Sequence, residues 1–337
     1  MANLLKLDRP GNLEFVLELL NSGCAVGLPT ETVYGLAARM DLAHAVASVF
    51  QLKNRPHFDP LIVHVLNHEA VSKIAKNISA DHQKLMTTFW PGPLTILFER
   101  SESVSDLVTA SSEFVAVRSP RHPTFRKILE NLNFPYLVAP SANRFTSVSP
   151  TCAQDVLDEL GPHGLEAVVD GGACELGVES TVVKLTHNGD HRVLEILRPG
   201  ALGVLEIQNC LGSDVEIQSS HTPSTPAPGT HRLHYSPGIP AYFFENESEA
   251  LKKMSAMDLS QTLLIEITRG SLMELRQLPW KEIVVLGQDL NEAAQNIFPQ
   301  LRRIGRERPQ AFVAVAGNEN GLGLAINDRL RRSAGKI

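Results

Sequence analysis

Several features that mark large functional classes are scarce or missing in this sequence. Its 337 residues hold only four cysteines, Cys24, Cys152, Cys174 and Cys210. Their spacing matches no metal-binding pattern, and four are too few for a disulfide framework in a chain of this length. Buried free thiols are the simpler reading. No histidine cluster suggests a catalytic metal. No apolar run approaches the roughly 18 residues that span a bilayer. Charge also breaks the first residues, Met1–Asp8, too early for a secretory signal. A cytoplasmic protein without a membrane partner is the expectation.

Aromatic residues make up only 6% of the chain, which leaves few platforms on which single-stranded nucleic acid could stack. A basic balance is missing too, since the formal net charge is −6. Phosphate-gripping proteins usually show a basic face. The clusters Arg302, Arg303, Arg306, Arg308 and Arg329, Arg331, Arg332, Lys336 fall on expected helices, where a solvated face is the common explanation. Stable nucleic-acid binding is therefore not expected. The chain has no GxxxxGK[ST] phosphate loop and no GxGxxG after a strand. It also lacks the GxSxG elbow that would make Ser180 a hydrolase nucleophile.

What is present points to a folded α/β protein. Hydrophobic residues account for 43% and charged ones for 20%, and the length favours two domains. Strands are expected at Ala25–Leu28, Leu61–Leu66, Leu94–Phe98, Val115–Arg118, Tyr136–Ala139, Ala167–Val169, Thr181–Leu185 and Val193–Leu197. Helices are expected at Leu13–Asn21, Ala43–Leu52, Glu69–Lys76, Thr124–Asn131 and Ala153–Leu160. Several strands follow one another without a helix, so the sheet should be mixed. A stretch rich in proline and small polar residues, Ser219 to Gly229, reads as an extended linker. Beyond it, alternation resumes from Ala241 to Ser333 as a second, smaller α/β domain. The expected divisions are 1–205, 206–240 and 241–337.

Polar residues gather at strand ends, where open α/β sheets place ligand sites. Pro29-Thr30-Glu31-Thr32-Val33-Tyr34-Gly35 closes the first apolar run with hydroxyls and a carboxylate. Lys53 and Arg55 stand one residue apart in Lys53-Asn54-Arg55-Pro56, so an extended backbone would point both the same way. Together these suit a small ligand carrying phosphates or a carboxylate. His64 interrupts the apolar run Leu61–Val65, where a hydrogen-bonded core histidine is the ordinary reading. Arg118 ends a strand, as a surface ion pair or a carboxylate clamp. Ser141 and Asn143 follow another strand, Ser180 precedes one, and Arg198 ends one.

Taken in order, PTETVYGL, KNRP, PLIVHV, FWPGPLT, VAVRSP, APSAN, SPT, GVESTVV and LRPG resemble the threonylcarbamoyl-AMP synthase family, whose core is the YrdC-type domain. The resemblance covers about the first 205 residues, and the remainder looks like the long, two-domain form. It implies a YrdC-like mixed twisted sheet, a linker and a smaller Rossmann-like domain. It also implies a reaction in which L-threonine, bicarbonate and ATP, with Mg2+, give threonylcarbamoyl-AMP and pyrophosphate. The product would pass to the tRNA threonylcarbamoyl transferase machinery. Carried over by motif, Thr32, His64, Arg118, Ser141 and Ser180 would surround threonine. Arg55, Asp59, Asn143, Thr151, Arg198 and Tyr235 would contact the nucleotide. Lys53 and Arg55 would assist catalysis at the phosphates, while no residue is singled out as a metal ligand. The linker would act as a lid, bringing His234 and Tyr235 over the nucleotide. A noncatalytic RNA-binding module of YrdC type is the alternative, and a carbamoyl transferase with another acceptor is a third reading.

Overall fold

The computed structural model describes residues 2–189, 191–219, 229 and 233–335. The chain divides into two compact units. The first comprises Met1–Phe145, Ser149–Glu175 and Glu179–Thr230; the second comprises Thr146–Val148, Leu176–Val178 and His231–Ile337. Among the described residues, no helix is long and apolar enough to cross a membrane.

In chain order the first unit contains β1 (Asn3–Leu5), α1 (Asn12–Asn21), β2 (Val26–Leu28), β3 (Gly35–Arg39), α2 (Ala43–Lys53), β4 (Ile62–His64), β5 (Ala75–Lys76), α3 (Ala80–Phe89) and β6 (Leu94–Arg100). It continues with α4 (Asp106–Thr109), β7 (Phe114–Arg118), α5 (Pro123–Asn131), β8 (Leu137–Val138), α6 (Ala153–Leu160), β9 (Ala167–Val169), β10 (Thr181–Asn188), β11 (His191–Arg198), α7 (Val204–Leu211) and β12 (Glu216–Ser219). One mixed sheet runs in the order β1-β9-β2-β3-β8-β4-β7-β6-β10-β11-β12, with β5 paired to β6. Its central strands are apolar at nearly every position, as a sheet covered on both faces requires. Val16, Leu19 and Leu20 of α1 pack with Phe125, Ile128 and Leu129 of α5 in one core cluster, and Val46, Val49 and Phe50 of α2 belong to a larger one.

Strand direction decides where the functional groups meet. β4 runs parallel to β7, β6 antiparallel to β7, and β10 parallel to β6. The C-terminal ends of β4 and β7 therefore share a sheet edge with the N-terminal ends of β6 and β10. His64, Arg118, Thr95 and Ser180 come to that edge. β8 runs antiparallel to β4, so the segment after it, which carries Ser141 and Asn143, leaves from the other end.

In the second unit, β13 (Ala241–Phe244), α8 (Glu247–Lys253), β14 (Thr262–Thr268), β15 (Glu282–Gly287), α9 (Leu290–Glu307), β16 (Ala311–Val315) and α10 (Leu322–Ser333) follow in turn. Its four strands are all parallel, in the order β13-β16-β14-β15. The Asp289 carboxylate caps α9 by accepting from the main-chain N–H groups of Asn291 and Glu292, a contact type worth about 1 kcal/mol. Buried Ala293, Ala294, Ile297, Phe298, Leu301 and Ile304 form its inner stripe. Ser236 N–H donates to the Thr146 carbonyl, and Arg302 donates to the carbonyl of Val148, which is how Thr146–Val148 count with this unit.

The structure departs from the sequence reading in several places. The helix expected at Glu69–Lys76 is a 3-10 turn, Glu69–Lys73, followed by the edge strand β5. The stretch 206–240 expected as linker begins with α7 and β12, and β12 extends the first sheet by pairing with β11. Much of the expected lid, residues 220–228 and 230–232, lies outside the described residues. Lys53 and Arg55 do not lie on an extended backbone, because Lys53 ends α2 and Asn54 caps it in the left-handed region, φ 50°. Finally, Arg329, Arg331 and Arg332 are buried rather than solvated. Carboxylates inside the unit offset their charge: Asp328 meets Arg329 at 3.0 Å and Arg332 at 2.9 Å, and Glu245 meets Arg331 at 2.9 Å. Lys336 lies outside the described residues.

Candidate active site

The segment joining β2 to β3 is a tight strap. Thr30 Oγ1 donates to the Val33 carbonyl and accepts from the N–H groups of Thr32 and Val33, the hydroxyl turn expected of such a sequence. Tyr34 anchors the strap at three points. Its N–H donates to the Pro150 carbonyl, its carbonyl accepts from Ala142 N–H, and its hydroxyl donates to the Gly172 carbonyl. The strap thus links the group at the sheet edge to the segments carrying Ser141, Asn143 and Thr151.

Arg118 is the centre of the edge group. Its Nε donates to the Gly92 carbonyl at 3.1 Å, Nη1 to Thr32 Oγ1 at 2.9 Å and Nη2 to Glu31 Oε1 at 2.7 Å. These bonds use three of the five guanidinium N–H groups. One on each terminal nitrogen remains, the pair needed to bind a carboxylate at two points. His64 stands in register with Arg118 across β4 and β7. Its Nδ1 lies 3.2 Å from the Ile62 carbonyl, and a carbonyl only accepts, so Nδ1 carries the proton and Nε2 is left as an acceptor. Burial, reinforced by Arg118, pushes the imidazole down to about 3, so it is neutral near pH 7.

Ser180 continues the same edge. Its hydroxyl is 2.7 Å from Thr95 Oγ1 and accepts from Arg198 at 3.2 Å, while its carbonyl accepts from the Arg198 Nη2 at 2.9 Å. Arg198 therefore holds the serine by side chain and backbone together. The Gly200 turn packs so closely that a Cβ there would overlap the Ser180–Thr181 peptide.

A second group forms around Lys53. The ammonium is 1% exposed and donates to the carbonyls of Ser141 and Asn143. Burial, then the charge of Arg55, pulls it down to about 7. Lys53, expected close to the phosphates, grips the Ser141–Asn143 backbone. Arg55 is closed onto Asp59, Nη2 to Oδ2 at 2.8 Å, and donates to the Pro60 carbonyl. Thr151 receives Cys174 N–H at its carbonyl and directs its own N–H to Asp155. Tyr235 belongs to the second unit, where its ring stacks on Phe298 at 5.3 Å and lies under the Arg329 guanidinium at 5.4 Å.

Thr32, His64, Arg118, Ser180 and Arg198 are thus brought together, and Lys53, Ser141 and Asn143 form a neighbouring group. Glu31, Thr95 and Gly92 received no role from the sequence, yet each holds a member of the edge group. A carboxylate inside an otherwise buried motif was the available signal for Glu31, because such a group needs a partner. Among the described residues, no group of three His, Cys, Asp or Glu side chains could hold a metal. Asp59 is paired with Arg55.

Two family models cover the chain. The Sua5/YciO/YrdC model, described as telomere recombination, matches residues 18–200. The model for the C-terminal domain of threonylcarbamoyl-AMP synthase matches residues 203–335. A threonylcarbamoyl-AMP synthase from Pyrococcus abyssi is 33% identical over 320 residues, covering 94% of this chain and 92% of that protein. One from Schizosaccharomyces pombe is 34% identical over 366 residues, covering 95% and 87%. The crystal structure of P. abyssi Sua5 complexed with L-threonine superposes with a TM-score of 0.85 at 32% identity, over 99% of this chain and 98% of the other. By both domain models and by relatives that match nearly end to end, this chain belongs to the threonylcarbamoyl-AMP synthase family.

Proposed function

We propose that the protein is an L-threonylcarbamoyladenylate synthase, and by reaction class a nucleotidyltransferase. The threonine amine takes up bicarbonate with loss of water to give a carbamate. A carbamate oxygen then attacks the α-phosphorus of ATP, and pyrophosphate leaves. The observation that carries this reading is the buried Arg118, held by Glu31, Thr32 and Gly92 with one N–H on each terminal nitrogen left for a carboxylate.

Each neighbour has a matching part. Arg118 binds the threonine carboxylate. His64 Nε2 accepts from the substrate hydroxyl, and because the ring is neutral it adds no charge beside Arg118 and gives no proton to the attacking amine. Thr32 and Ser180 line the same pocket, with Ser180 as a binding group and no covalent enzyme intermediate. Lys53 works through the Ser141–Asn143 segment, fixing the backbone against which the nucleotide lies. In-line positioning of this kind can supply a large part of the rate of such a displacement. Asn143, Thr151 and Arg198 are assigned to the nucleotide.

Magnesium shields phosphate charge when bound with ATP, and the described residues supply no cage for it, so it would be held through the phosphates and water. The product would serve tRNA threonylcarbamoylation in the cytoplasm. No observation favours the RNA-binding alternative. Incubation with 13C-bicarbonate, L-threonine and MgATP should yield one adenylate carrying both the threonine mass and the label. An adenylate without the label would contradict the proposal.

A further inference from the structure

Glu31 lies in the strap between β2 and β3 and is 2% exposed. One carboxylate oxygen accepts from Arg118 at 2.7 Å, and the other accepts from the main-chain N–H of Arg121 at 3.0 Å. Burial opposes its ionisation, but the Arg118 guanidinium and these hydrogen bonds hold its carboxyl below the usual carboxylate range. Its negative charge therefore cancels that of Arg118, which is only 4% exposed. The histidines and the thiol facing the pair add no charge near pH 7, and the other cation of the group, Arg198, is turned to Ser180. His64 and His122 are pushed down by burial, and the Cys174 thiol is pushed up.

We infer that Glu31 is a positioning residue that cancels the charge of Arg118, and that this local balance makes the site select a zwitterionic amino acid over a simple carboxylic acid. A guanidinium alone would favour any small anion. With Glu31 beside it, the fork still directs hydrogen bonds at a carboxylate, while the field no longer disfavours a ligand that carries an amine as well. Both carboxylate oxygens already accept from Arg118 and Arg121, which weakens Glu31 as a direct partner for a substrate ammonium ion. This inference rests on the threonine reading of the site.

Calorimetric titration of the full-length protein with L-threonine and with 3-hydroxybutyrate, which keeps the carboxylate and hydroxyl but lacks the amine, tests it. The wild type should prefer threonine. Glu31→Gln keeps the shape and leaves the Arg118 charge uncompensated, so the preference should fall by about tenfold or more, as expected for one such charge within a few ångströms. Glu31→Asp keeps the charge but shortens the reach to Arg118. Both affinities should then fall together with their ratio held, and this variant carries the test if the glutamine protein does not fold. An unchanged ratio in Glu31→Gln would overturn the charge-balancing role. Unchanged affinities in Glu31→Asp would overturn the positioning role. A wild type that binds neither ligand would overturn the threonine reading, and this inference with it.

Discussion

Lys53 shows how one buried side chain ties stability to pH. Its amino group is pulled down to about 7, first by burial and then by Arg55, whereas an unfolded lysine titrates near 10.4. An amine has two N–H groups, enough for the carbonyls of Ser141 and Asn143, so either protonation state can serve them. Between about pH 7 and 10 the unfolded chain binds a proton that the folded chain does not. Stability should therefore rise with pH across that window, by on the order of 1 kcal/mol per unit from this group, and level off below about 7. Lys53→Met should remove that slope and leave two carbonyls without their donor, at roughly 1–3 kcal/mol each. Urea unfolding of both proteins at pH 7 and pH 9 measures it, and equal slopes would contradict the assignment. The sequence marked Lys53 and Arg55 as important but gave them the wrong geometry. A lysine at a helix end ordinarily reads as exposed, and the left-handed cap at Asn54 leaves no mark strong enough to foresee.

At the scale of elements, the site depends on segments that approach one another more closely than side chains allow. The turn after β11 presses against the start of β10: Ala201 N–H donates to the Glu179 carbonyl, and the Thr181 hydroxyl donates to the Leu202 carbonyl at 2.6 Å. Gly200 makes this possible. Gly200→Ala should displace the Ser180 backbone, cost about 1–3 kcal/mol of stability through overpacking, and weaken threonine binding more than ATP binding. Thermal melts with titrations of each substrate would show it, and unchanged threonine affinity would remove the link from turn to site. Strands with dense β-branched cores, such as those at Val115–Arg118 and Thr181–Leu185, were legible in the sequence. β3 was not, because Gly35-Leu36-Ala37-Ala38-Arg39 is built of small residues whose strand identity comes from pairing with β2 and β8. α3 was missed too, since its ten residues include five that are charged or polar before its second threonine and only Leu85 and Met86 as buried apolar anchors. Strand direction was not legible either. It is direction that puts His64, Arg118 and Ser180 at one edge and sends Ser141 from the other end.

For the whole molecule, the division into two α/β units could be read from the proline-rich interruption, although the first sheet continues through β12 before it. The burial of Arg329 and Arg332 could not, because their partner Asp328 looks in sequence like one more surface charge. The described residues hold no carboxylate or imidazole cluster for a metal, so magnesium alone, without ATP, should leave the melting temperature unchanged. A rise of several degrees would reveal a cation site held by the protein itself.

Pyrophosphate release by the purified protein from MgATP, with L-threonine or bicarbonate omitted in turn, is the decisive measurement of the synthase activity. Release should occur only when both are present, because the nucleophile that attacks ATP is made from the two together. Release of the same size without threonine would contradict the synthase reading.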